Sequence, residues 1–492
     1  MVPAVLAICY IGTAPSGEPL AAFGLLLVEE RDDMRILLIA TNRHSRCMSR
    51  QEVRPLPIGL AYVAAYLDPE RHPLNILDLM FAEDYLAQTE ATVREFQPEL
   101  VGISLRNLDN GSYVNPQSAL PITRDVIQRV RSCCDATIAC GGPAFSTLPE
   151  ECFKYLEPDL GLAGDAAETF AELADLLQSK GVSGGSGLSG DVLKDLSQLS
   201  GLIYREEGKI KTAPHRASSG LSRPPRLDDL DLDQYRQAGF GVGVITKLGW
   251  YSSTVAAPPE ENAGAEPASQ WRISHSVEQV IAEVKRLQRQ HNLREFFFID
   301  QAFNSPPDFA KELCRGLLEE HLDIKWNTNL RADGVDQELV SLMVQSGCQM
   351  VLIGGPAIPA KSAQVEGTDR QRQLSAAIGQ IRELCDLCHS QGLAYSITQG
   401  FGEPGETEGT VSAKLAFLSH TASADRTAHV TMRVGNRLLP GSDLTKLAVE
   451  EGIIPDEEQL LMPVFFVAPT VRDQLVCILE SGAAENPSWK VM

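Results

Sequence analysis

Short apolar runs alternate with amphipathic stretches along most of this chain, and that alternation allows few architectures. From Met34 to about Leu177, strand-like runs at Ile36–Ala40, Leu74–Leu79, Leu100–Leu105, Ala136–Ala139 and Leu160–Ala163 are separated by segments of helical apolar spacing at Ile58–Leu67, Leu86–Phe96, Ile122–Val130 and Glu168–Leu177. Strand, helix and strand recurring every ~30 residues predict a parallel sheet with helices on both faces. Ligands of such sheets bind beyond the carboxyl ends of the strands. Here those ends read Thr41-Asn42, Ser104-Leu105-Arg106-Asn107, Gly141-Gly142-Pro143 and Gly164-Asp165, and glycine lets a backbone approach a ligand closely.

A Ser/Gly-rich stretch within 178–203 and a second connector from Ser218 to Asp233, with Pro224-Pro225, follow this series. Between them, Leu202-Ile203-Tyr204 and Gly208-Lys209-Ile210 read as a small hairpin. A second series opens at Gly241, with strands expected at Val242–Thr246, Phe296–Ile299, Ile324–Leu330, Met350–Ile353, Ala394–Gln399 and His429–Val434. Helices are expected at Val277–Gln290, Phe309–Glu320, Glu338–Ser346, Leu374–Gln391 and Thr410–Ser419. Six such repeats predict a partial barrel, short of the eight that close one. The expected division is an extension over 1–33, a first α/β domain over 34–178, a linker over 179–240, the partial barrel over 241–440 and a C-terminal segment over 441–492.

Composition narrows the partners. A net charge of −22 leaves no broad basic footprint for nucleic acid or anionic lipid, and no apolar run approaches the ~20 residues that span a bilayer. The 11 cysteines follow no regular framework in a chain of 492 residues, which favours reduced thiols and a cytoplasmic protein.

The strand ends of the second series form an ordered set: Phe298-Ile299-Asp300-Gln301-Ala302-Phe303-Asn304, Lys325-Trp326-Asn327 with Arg331, Ser346-Gly347-Cys348, Gly402-Glu403-Pro404-Gly405-Glu406-Thr407, and Gly435-Asn436-Arg437-Leu438-Leu439-Pro440-Gly441. Together with the segment from Pro57 to Leu67, Asp78 and Cys140-Gly141-Gly142-Pro143, this set resembles the cobalamin-binding branch of the radical S-adenosylmethionine (SAM) superfamily, over about Met34 to Ile454. The resemblance implies an α/β chain: an N-terminal Rossmann-like cobalamin-binding domain followed by a partial (β/α)6 TIM-like barrel. It places cobalamin against Arg106, Asn107, Gly141, Gly142, Gly164 and Glu168, residues that also suit ordinary turn and helix-cap chemistry. That branch usually binds cobalamin base-off, and none of the nine histidines stands in the alternative signature Asp-x-His-x-x-Gly. It places SAM against Asp300, Arg331, Gly402 and Glu403.

Other readings of these residues stay open. The turn from Gly402 to Thr407 can offer N–H groups to a carboxylate or simply cap a helix. A buried Asp300 needs a partner, and Arg331 could be that partner or could bind the SAM carboxylate. His275 and His429 suit proton transfer or a structural role.

One departure from the family outweighs the agreement. Its members carry C-x3-C-x2-C after the first barrel strand, three thiolates that hold a [4Fe–4S] cluster and leave one iron open for SAM. Thr246-Lys247, Gly249 and Pro258 set the register here, and the ligand positions hold Trp250, Thr254 and Ala257. None of these supplies a thiolate; Trp250 could stack on a cofactor or fill space. Cys385-x-x-Cys388 lies within a helix beside Leu384 and Leu387 and reads as core. A second departure is Gly354-Gly355-Pro356, where relatives more often place an acid after the glycines. The expectation is a cobalamin- and SAM-binding enzyme without a [4Fe–4S] cluster, carrying out polar methyl transfer or cyclisation in specialised metabolism, with no catalytic acid or base assigned. The rival reading is a non-catalytic partner protein derived from such an enzyme; a radical enzyme ligating iron elsewhere is a third.

Overall fold

Ile36–Ala40 (β1) is buried along its whole length, which requires cover on both faces and neighbours on both edges. In a computed structural model it lies inside a seven-stranded sheet with Leu74–Asp78 (β2), Leu100–Ser104 (β3), Thr137–Gly141 (β4), Leu160–Leu162 (β5), Leu202–Glu206 (β6) and Lys209–Thr212 (β7), in the order β2-β1-β3-β4-β5-β6-β7. The structure describes residues 33–43, 54–182, 184–185, 188, 190–216, 221–237, 242–248, 272–273, 275–357, 367–424, 429–458 and 460–492. The first five strands are parallel, and Ala40 aligns with Asp78 and Ser104, Ser104 with Gly141, and Gly141 with Leu162. The carboxyl ends therefore form one row, and the chain reverses direction across the sheet between β1 and β3, where such sheets bind ligands. The hairpin β6–β7, from the stretch read as linker, adds antiparallel to the edge of β5.

The second sheet is parallel throughout. Its order is β18-β15-β14-β13-β12-β11-β8, with β8 at Val242–Val244, β11 at Glu295–Phe298, β12 at Lys325–Leu330, β13 at Cys348–Gly354, β14 at Ala394–Phe401, β15 at His429–Val434 and β18 at Trp489–Val491. Six of these strands are the expected ones; β18, from the C-terminal segment, is a seventh. A ribbon of Lys247–Leu248 (β9) and Arg272–Ile273 (β10) follows β8, and a second ribbon, Asn436–Arg437 (β16) and Phe465–Phe466 (β17), follows β15. Burial alternates along the strands: Trp326, Thr328 and Leu330 are buried while Asn327 and Asn329 are not, and Val430, Met432 and Val434 are buried while Thr431 and Arg433 are not. One face is thus covered, and the other is left partly open.

Residues 33–492 form one compact unit. On one side, helix Ile58–Tyr66 meets helix Val277–His291, and Tyr62 donates its hydroxyl to Glu283 at 3.3 Å. Both side chains are buried, and Tyr62 stacks on His275 with centroids 6.4 Å apart. Burial pushes the Glu283 carboxyl from 4.5 up to about 7, against the pull of Arg286 and the Tyr62 hydroxyl. A raised carboxylate pKa means that the folded chain keeps a proton the unfolded chain has lost. The stabilising contribution is therefore full below about pH 4.5 and is lost as pH rises through about 7, a change of about 3 kcal/mol. Urea unfolding of wild type and Glu283→Gln should show this decline between pH 4.5 and 8 in wild type only. Parallel pH curves would remove Glu283 from the account.

Candidate functional site

At the first row of strand ends, backbone rather than side chain sets the shape. Gly142 has φ of 105°, and a β-carbon there would lie 2.7 Å from the Leu105 carbonyl oxygen and 3.0 Å from Ser104 Oγ. Only glycine fits, so the turns after β3 and β4 lie closely together, with Leu105 N–H donating to Gly141 O at 2.8 Å. Gly164 has φ of 86° and donates its N–H to Ser146 Oγ at 2.9 Å. Gly164 and Glu168 are exposed, Arg106 and Asn107 half-buried, and burial holds the Arg106 guanidinium below its usual range. The cobalamin candidates thus lie at or just beyond the row of strand ends after β3, β4 and β5.

Two residues that sequence reasoning missed stand beside them. Tyr235, from helix Leu232–Gln237, donates its hydroxyl to Asp78 at the end of β2, where burial raises the carboxyl above its ordinary value. His215 is exposed, with ring atoms 3.4 Å from the point a Gly164 β-carbon would occupy. No sequence motif marks either residue.

At the second row, Asp300 follows β11 and is 1% exposed. Its partner is Lys247: Nζ lies 2.7 Å from Asp300 Oδ2, and Thr246 Oγ1 donates to the same oxygen at 2.5 Å. Arg331 does not pair with Asp300; its Nε donates to Asp333 at 2.7 Å, and Asn304 holds its backbone. The reason is strand order. β8 and β11 are neighbours, so Thr246-Lys247 ends beside Asp300.

The turn from Gly402 to Thr407 departs from expectation too. Gly402, at φ of 82°, donates its N–H to Glu406 Oε2, and Thr407 N–H donates to Thr410 Oγ1 at 2.9 Å. These N–H groups, expected to await a carboxylate, are used within the turn. Glu403 is ion-paired as well: Lys414 Nζ lies 2.9 Å from Glu403 Oε2, 2.6 Å from Glu406 Oε1 and 2.9 Å from Gly400 O. Orphaned acceptors are found elsewhere. Asp300 Oδ1, Asn327 Oδ1 and Gln399 Oε1 are buried without a hydrogen-bond donor, a costly state that a ligand carrying ammonium or hydroxyl groups would relieve. His275 is held within the packing, its Nδ1 3.0 Å from Ile245 O and its ring stacked on Tyr62. Trp250, Thr254 and Ala257 lie outside the described residues. Cys385 and Cys388 are both buried, and among the described residues no group of three His, Cys, Asp or Glu side chains could hold a metal ion. No described helix is long and apolar enough to cross a membrane.

Comparison with known proteins agrees with this architecture. Residues 52–174 match the B12 binding domain family. The chain is 26% identical over 389 residues to an uncharacterized methyltransferase of Pyrococcus horikoshii, covering 78% of this chain and 77% of that one. It is 22% identical to the tryptophan 2-C-methyltransferase of Streptomyces laurentii, covering 80% and 72%. Among solved structures it resembles the radical S-adenosylmethionine methyltransferase TsrM from Kitasatospora setae, determined with cobalamin and a [4Fe–4S] cluster bound, with a TM-score of 0.66, 20% identity and coverage of 85% and 75%. The chain therefore carries a B12-binding domain joined to a sheet of the radical SAM type.

Proposed function

We propose that this chain is a cobalamin-dependent methyltransferase that takes its methyl group from SAM by a polar route and delivers it to a small molecule at the open face of the second sheet. The observation that carries this reading is the combination of a glycine-built cradle and orphaned buried acceptors with three cluster positions occupied by Trp250, Thr254 and Ala257. Cobalamin, when bound, supplies a metal-centred nucleophile toward a sulfonium methyl, a transfer that needs no electron from an iron–sulfur cluster. The residues of this chain do the rest. Gly142 and Gly164 keep the cradle free of side chains, and Arg106 and Asn107 border it. Asp300, held by Lys247 and Thr246, keeps one carboxylate oxygen for a donor such as the SAM ammonium or ribose, and Asn327, on the open face, offers a further acceptor. The loss of all three thiolates favours one rival, a binding protein without turnover.

Protein purified anaerobically with cobalamin should retain cobalt in stoichiometric amount with iron at background. The electron paramagnetic resonance of its cobalt(II) form should show no splitting from an axial nitrogen. Such splitting would sink the base-off assignment and turn attention to His215. Methyl-labelled SAM should release label to an acceptor without 5′-deoxyadenosine; label that never leaves SAM would favour the rival.

A further inference from the structure

Arg433 has no role in the account above, yet it occupies a conspicuous place. It lies on the open face of β15, exposed between the buried Met432 and Val434, and is paired in register with Gly400, which has no side chain to cover it. Its guanidinium reaches across to the first sheet's loop after β3, where its terminal nitrogen sits in the space a β-carbon of Gly111 would fill. That loop is firmly held. Asn110 N–H donates to Gln117 O at 3.0 Å, Ala119 N–H to Leu108 O at 2.9 Å, and Asn110 Oδ1 accepts from Ser112 and Gln117 N–H at 3.2 and 3.1 Å.

The local charges do not balance. Asp109 is the carboxylate that acts on Arg433, and both its oxygens are engaged: Oδ2 by Arg437 Nε at 2.8 Å and Oδ1 by Gly111 N–H at 2.8 Å. Arg437 also donates to the carbonyls of Leu460 and Leu461, so the join between the sheets is complete without Arg433. Two guanidiniums share one carboxylate, and Arg433 donates to no described acceptor. Surrounding protein holds its guanidinium below the usual range. Its exposure leaves the guanidinium open to a ligand from the solvent side, and in a chain of net charge −22 a local positive centre is the exception.

The geometry points to an oxyanion subsite at Arg433, roofed by Gly111, that selects small molecules carrying a carboxylate or a phosphoryl or phosphonyl group for the proposed methyl transfer. This rests on the reading of the open face as a substrate site. A planar fork on the open face of the last long strand would grip such a group at one end and leave the remainder lying across that face of the sheet.

Inorganic phosphate and acetate are the probes, titrated separately into the full chain and followed by phosphorus line broadening and proton saturation transfer. Wild type should bind at least one of them, and which one identifies the class. Arg433→Gln should weaken that binding about tenfold, and Asp109→Asn, which removes the opposing charge, should tighten it. Equal affinity in wild type and Arg433→Gln, absence of binding by either anion, or unchanged affinity in Asp109→Asn would overturn the subsite. Corrinoid absorbance read in the same samples separates the two claims. Retained corrinoid without Arg433-dependent anion binding overturns the subsite alone, and lost corrinoid with intact anion binding overturns the cobalamin reading alone.

Discussion

Replacing Lys414 by methionine should cost about 3–5 kcal/mol of stability, since it leaves the buried Glu406 and the half-buried Glu403 without their shared cation. The side chain is 1% exposed, and its ammonium meets Glu403, Glu406 and the Gly400 carbonyl at 2.6–2.9 Å. Burial alone would disfavour the charge; Glu403 and Glu406 reverse that and hold Lys414 above its ordinary pKa. Glu403, conversely, is held above the usual carboxylate range by burial, with Lys414 pulling it down. Methionine matches the length and volume of the stem, so the loss is electrostatic rather than a cavity. Adding Glu403→Gln and Glu406→Gln to Lys414→Met should then restore most of the lost stability, because neutral amides are far cheaper to bury. Urea unfolding of the single and triple variants measures this. A single-variant loss below about 1 kcal/mol, the scale of an exposed pair, would show that the network is hydrated.

The pattern of Lys414 shows where a sequence stops being legible. A lysine between Val411 and Phe417, both buried, is a visible anomaly in an apolar helix stretch, but its partners lie in the preceding turn and are chosen by how that turn folds back. Asp300 has the same history. The need for a cation was readable from an acid at the end of Phe296–Phe298, whereas choosing Lys247 over Arg331 required knowing that β8 and not a later strand ends beside it. Strand runs such as Ile36–Ala40 were readable because burial on both faces leaves an unbroken apolar run. Trp489–Val491 was not, being three residues long and distant in sequence from β15, against which it pairs. Gly142 was readable as a glycine pair after a strand. Arg433 was not, because nothing local says that its strand neighbour is Gly400 or that Gly111, in a loop from the other sheet, lies beside its guanidinium.

Installing Trp250→Cys, Thr254→Cys and Ala257→Cys together should give a chain that takes up about four irons on reconstitution with iron and sulfide, where the proposed function expects none in wild type. The spacing of the three positions still matches C-x3-C-x2-C between Gly249 and Pro258. The ends of the segment that carries them are joined as well: β9 pairs antiparallel with β10, and Lys247 is anchored to Asp300 just before it. Three of the described thiols of the second series make poor substitutes. Cys314, Cys348 and Cys388 are buried, and burial raises all three above the ordinary thiol value, so they stay protonated. Cys348 also begins β13, at the opposite end of the sheet from Asp300. Iron counted in wild type and in the triple variant gives a sharp contrast. Four irons already present in wild type would overturn the cluster-free reading and align this chain with the cluster-bearing TsrM structure it resembles. A triple variant without iron would mean that the segment no longer gathers its three positions around one cluster, so that the departure lies in its shape as well as in its ligands.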